Sequence, residues 1–149
     1  MIRLLQLDKA EVSFVLTDDA VVHELNKVYR AKDRPTDVLA FAMHEGEFGA
    51  LAGHVLGDVI VSVPTARKQA HSRRIQVLDE VTMLLAHGLL HLLGWDHDTV
   101  AKDRRMRAET ARLCAAAAPP STLSKVGADQ GLTRKRPARA TTGRSRKGQ

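Results

Sequence analysis

VLDEVTMLLAHGLLHLLGWDH, running from Val77 to His97, is the stretch on which the fold turns. From Val77 to Leu93 apolar side chains fall on almost every side of a helical projection, the pattern of a helix packed on most of its faces. Gly94 then offers a left-handed stop. Val81 to Trp95 is the longest mostly apolar run. It is shorter than the roughly 20 residues that span a bilayer, and it carries two histidines, so a buried helix is expected and not a membrane span.

His87 and His91 are four residues apart, which sets both imidazoles on one helix face a turn apart. The turn at Gly94 lets His97 return to the same point. Three imidazole nitrogens at about 2.0 to 2.1 Å from one ion leave a fourth position open, the arrangement of a catalytic zinc site. Neutral ligands leave the charge of the ion undiminished, which favours ionisation of water and polarisation of a phosphoryl or carbonyl oxygen. The plain alternative is that these are ordinary buried histidines. Against it stand three histidines, a turn glycine and an apolar carrier helix within 21 residues.

A zincin protease would carry Glu beside the first histidine as its general base, and position 88 is Gly. Gly88 points instead to close packing of the helix against another backbone. Glu80, seven residues before His87 on the same stripe, and Asp96, beside His97, are each candidates to orient a ligand imidazole. Each is equally well read locally, Glu80 as a carboxylate at a helix N-terminus and Asp96 as a turn or cap residue.

Outward from this segment, Asp58 to Val63 (DVIVSV) reads as a central strand, followed by Pro64 at the start of a helix. Val38 to Met43 reads as another strand, reached through the polar connector RAKDRPTD of Arg30 to Asp37. Val12 to Leu16 is a third. Thr17 can cap a helix with Asp18 and Asp19 in its first turn, an apolar stripe of Val21, Val22, Leu25 and Val28, and an end near Tyr29. Met1 to Leu7 could be a strand or a helix end, since Ile2, Leu4, Leu5 and Leu7 fit neither period cleanly. Glu45 to Gly53 is expected to turn. Asp96 or Asp98 can begin a last helix that fades out over Ala115 to Ala118. The expected architecture is α+β: a single compact domain over residues 1–118, with a small mixed sheet covered by helices and a zinc site on a buried helix and the turn after it.

The chain has 149 residues, 44% of them hydrophobic, enough for one core. Its net charge of +6 is misleading when taken whole. Residues 119–149 hold eight Lys or Arg against Asp129 alone, which leaves the remainder at −1. That basic tail, with Pro, Gly, Ser and Thr, is expected to be disordered. Cys114 is the only cysteine, so an intrachain disulfide and a thiolate metal cluster are both excluded. The apolar start meets Asp8, Lys9 and Glu11 too early for a signal peptide, and a cytoplasmic protein is expected.

HGLLHLLGWDH closely resembles the H-G-x-L-H-L-x-G-Y-D-H hallmark of the YbeY family of bacterial endoribonucleases, the rRNA maturation factors. Asn26 to Phe41 (NKVYRAKDRPTDVLAF) and Leu56 to Ile60 (LGDVI) match two further family segments. The resemblance spans residues 11 to about 113. It implies a single-strand-specific, zinc-dependent endoribonuclease acting in 16S rRNA 3′-end maturation and ribosome quality control, with RNA and the ribosome as its partners. It also implies one zinc ion per chain on His87, His91 and His97, and a functional role for Arg30. The planar fork of Arg30 suits a phosphodiester better than a lysine would.

The chain departs from the family pattern at Trp95, where Tyr is usual, and at Ala40, where Ser is usual, so hydroxyl-dependent hydrogen bonds there are lost. Family members also carry a first strand and most of a helix before the equivalent of Asp8. On that comparison Met1 to Leu7 is the end of the helix and a sheet edge is missing. The tail lies outside the family core and reads as an rRNA-binding extension or a solubilising end. Two other classes compete with an RNA hydrolase: a zinc hydrolase of another substrate, and a non-catalytic ribosome-associated factor with a structural metal.

Overall fold

The structure, a computed structural model, describes residues 1–44 and 53–117. Most of the turn expected at 45–53 and the basic tail at 119–149 lie outside the described residues. Three strands, β1 (Glu11–Thr17), β2 (Val38–Ala42) and β3 (Val55–Ser62), and four helices, α1 (Asp19–Arg30), α2 (Val63–Arg73), α3 (Val77–Leu92) and α4 (Val100–Ala117), make up an α+β fold. The sheet order is β1-β3-β2, with β1 parallel and β2 antiparallel to β3. The sheet is therefore mixed, as expected.

β3 is central because Val59 and Val61, both fully buried, alternate toward α3. α3 is the hub. One side packs on the sheet through Leu84 and Leu89, and the other meets α4 through Ala86, Leu90, Met106 and Leu113. Two separate apolar clusters on one helix explain why its sequence is hydrophobic nearly all round. Burying each such Leu contributes about 1.5 to 3 kcal/mol. No helix among the described residues is long and apolar enough to cross a membrane.

Helix starts differ from expectation in two places. Thr17 stays in β1, paired with Ser62 of β3, so Asp18 caps α1 by accepting from the Val21 N–H at 2.9 Å. α4 begins at Val100, and neither Asp96 nor Asp98 starts it. Thr99 Oγ1 accepts from the Lys102 N–H at 3.2 Å instead. At the N-terminus, Met1 to Leu7 forms neither a strand nor an α-helical end. Arg3–Leu5 is a single 3-10 turn whose neighbours Met1, Ile2 and Leu7 rest on the core.

β1 is an outer strand. Phe14, Val15 and Leu16 are 40 to 54% exposed. α1 anchors through Val22 and Asn26, leaving Val21 and Val28 of its predicted apolar stripe exposed.

Candidate metal centre

α3 delivers His87 and His91 on one face, with ring centroids 4.8 Å apart and Nε2 atoms 3.2 Å apart. Leu93 then caps the helix, and Gly94 adopts φ +80°, a left-handed value that only glycine takes without strain. The Trp95 N–H donates to Leu90 O at 3.0 Å and the Gly94 N–H to His91 O at 2.9 Å, a Schellman closure. The chain doubles back, and the His97 ring stands 5.2 Å from His91 and 5.8 Å from His87. One ligand atom from each of the three lies within 4.8 Å of the others, so the group could hold a metal ion.

Electrostatics suit that use. Burial, then the neighbouring rings His91 and His97, pushes the His87 pKa below its ordinary value. Burial, followed by His97, does the same for His91. Both are held toward the neutral form, which has a nitrogen lone pair to give a metal.

The helix can seat these rings against the sheet because residue 88 has no side chain. A Cβ there would stand 2.4 Å from Val59 Cγ1 and 3.4 Å from Val38 Cγ2. The close neighbours are thus valine side chains of β3 and β2, and not another backbone.

Arg30, the last residue of α1, lines the same cavity as the three histidines, together with Arg34 and Asp37. Its Nη2 donates to Ala40 O at 2.7 Å and its guanidinium carbon lies 5.9 Å from the centre of the Phe41 ring. Ala40 of β2 thus contributes through its backbone carbonyl. The connector leading to Asp37 is held by buried Asn26, whose Nδ2 donates to Arg34 O at 2.8 Å.

Asp37 went unnoticed in the sequence, where it reads as the last polar residue before a strand. Its Oδ1 accepts from the Val38 N–H at 2.9 Å and its Oδ2 from Gln69 Nε2 at 2.9 Å. Both oxygens are engaged, so the side chain is held between β2 and α2 on the wall of the cavity that the histidines line. Only its place in the Thr-Asp-Val run before the strand could have marked it out.

Neither carboxylate put forward as an orienter of the imidazoles does so by hydrogen bonding. Glu80 is fully buried and takes both its bonds from Arg73 Nη1, each 3.0 Å, joining α2 to α3. Asp96 Oδ1 accepts from the His97 N–H at 2.7 Å, the turn role.

Comparison with known proteins gives the family. The family model described as Endoribonuclease YbeY matches residues 3–118. An Endoribonuclease YbeY of Persephonella marina is 42% identical over 102 residues, 68% of this chain and 66% of its own length. That of Geobacter metallireducens is 45% identical over 102 residues, 67% of this chain and 68% of its own. The chain thus spans about two thirds of the length of the curated relatives it matches. A solution structure of the protein TM1509 from Thermotoga maritima is similar with a TM-score of 0.49 at 22% identity, covering 77% of this chain and 79% of that one. By its family match and these relatives, the chain belongs to the YbeY family.

Proposed function

We propose that the chain is a zinc-dependent, single-strand-specific endoribonuclease acting in the cytoplasm on the 16S rRNA precursor during 3′-end maturation and ribosome quality control. The observation that carries the reading is the meeting of His87, His91 and His97 beside Arg30 in one cavity. The relatives' name supplies the substrate class.

His87, His91 and His97 would hold the ion through ring nitrogens. Zinc, when bound, supplies Lewis-acid polarisation of a phosphoryl oxygen and lowers the pKa of water toward neutrality. Arg30 binds the scissile phosphodiester. The bond from Nη2 to Ala40 O leaves the other N–H groups of the fork for non-bridging oxygens, where charge grows as the bond breaks. Asp37, held by Val38 and Gln69, forms part of the wall of the same cavity. A single strand can bend its phosphate into this cavity, whereas a paired helix keeps its backbone on a rigid cylinder.

Incubating the purified protein with single-stranded and duplex RNA of the same sequence tests the reading. Cutting of the single strand alone, lost in Arg30→Ala with the metal retained, is the expected result. Binding without cutting in both proteins would favour a non-catalytic ribosome-associated factor.

A further inference from the structure

The cavity at the histidines has neighbours. Arg30, Ala40 and His91 also line a second hollow, together with Gly94, Trp95 and Asp96. These last three in turn form the wall of a third hollow, of about 280 Å³, completed by Leu93, Lys102 and Arg105. Trp95, on the turn after α3, therefore lines both the hollow that holds Arg30 and His91 and the one that reaches the first turns of α4.

In the third hollow, the Arg105 guanidinium carbon lies 5.9 Å from the centre of the Trp95 ring, a cation–π distance. Trp95 is half-buried and packs against the apolar cluster of α3 and α4. The two cations of this hollow differ. Lys102 is committed to Asp98 at 2.8 Å and Asp96 at 4.0 Å, while exposed Arg105 takes part in no ion pair among the described residues. A flat aromatic ring and a flat guanidinium free of ion pairs, in a hollow that adjoins the one lined by Arg30 and His91, match what a splayed nucleobase requires. Every base has a π face, and stacking on aromatic rings and guanidinium planes is the usual means of holding single strands.

We propose that Trp95 and Arg105 form a nucleobase subsite, stacking one base of a single-stranded RNA whose neighbouring phosphate lies at Arg30 and the histidines. This rests on the endoribonuclease reading and adds the element that favours an unpaired strand, since only an unpaired base can leave its partner and turn into the hollow.

Trp95 is the sole tryptophan of the chain, so its fluorescence reports the subsite directly. The full-length protein is titrated with a short 2′-O-methyl oligoribonucleotide and with an abasic strand carrying the same phosphates. Quenching by the first and not the second is expected. Arg105→Lys keeps the charge and removes the plane. It should weaken binding of the base-carrying strand about threefold or more while leaving the abasic strand unaffected. Equal quenching by both strands, no quenching by either, or an unchanged Arg105→Lys would overturn the subsite. A cutting assay on the same preparation separates the two ideas. Cutting without base-dependent quenching removes this subsite alone, and base-dependent quenching without cutting strikes at the proposed activity alone.

Discussion

Arg30 is tied to Ala40 by a 2.7 Å bond from its guanidinium to a backbone carbonyl, and it lines the same cavity as the three histidines. A side chain that is otherwise exposed at a helix end gains a fixed direction from the neighbouring strand. Arg30→Lys keeps the charge but lacks the second arm of the fork, so it cannot satisfy the carbonyl and a phosphate oxygen in one plane. We expect RNA cutting to fall about 100- to 1000-fold in Arg30→Ala and only partly to return in Arg30→Lys, with zinc content unchanged in both. Single-turnover cleavage rates beside metal analysis check this.

Gly88 is the position where α3 meets the sheet. Gly88→Ala brings a methyl into a space where Val59 Cγ1 stands 2.4 Å away. The helix must shift, at a cost of about 1 to 3 kcal/mol, and His87 shifts with it. A lower urea midpoint together with weaker zinc retention against a chelator is the expected outcome, and Val59→Ala in the same chain should recover part of both.

The pair formed by Arg73 and Glu80 predicts a stability effect separable from activity. Glu80 is fully buried while Arg73 is about half exposed, so solvent reaches one partner. Arg73→Ala strands the buried carboxylate and should cost about 2 kcal/mol, below the range for a fully enclosed pair because solvent screens the exposed side. Adding Glu80→Gln to that variant should restore part of the loss. Urea unfolding of the two single variants and the double measures the coupling.

Asp19 predicts a pH dependence of stability. It accepts hydrogen bonds from Ser62 Oγ and from Thr65 Oγ1 (2.6 Å), with Lys68 Nζ at 3.5 Å. The Ser62 bond first, then the Thr65 bond, holds its pKa below the ordinary value of 3.8. A depressed folded-state pKa means that the stabilisation is complete above the unfolded value and is lost as pH falls through the folded one. The stability difference between the parent chain and Asp19→Asn should therefore be level near neutrality and shrink below about pH 4. Chemical unfolding at a series of pH values checks it, and a difference that grows in acid would contradict the assignment.

β1 is an outer strand that presents Phe14, Val15 and Leu16, a template for pairing between molecules. Val15→Lys should raise the concentration at which the protein stays monodisperse in light scattering. It should change the unfolding free energy by no more than about 0.5 kcal/mol, because the side chain is already 40% exposed.

The histidine centre was legible in the sequence because its determinants are local. A four-residue spacing, a glycine and a two-residue return place all three rings within eleven positions of chain. The strands and the mixed α+β class were legible from alternation and punctuation. Contacts made across the fold were not. Asp37 depends on Gln69, 32 residues away, and Glu80 on Arg73 across the gap between α2 and α3. Thr17 is as good a cap as Asp18 on its own, and only its pairing with Ser62 keeps it in the strand. Gly88 was marked as a close approach, but the sequence could not show that valine side chains make it.

The most direct test of the account is zinc content and RNA cutting measured together on the purified chain and on His91→Ala. The account predicts about one zinc per parent chain and cutting of single-stranded RNA, with both lost in the variant while its fold is retained. A parent chain that binds no zinc, or a His91→Ala variant that still cuts, would contradict it.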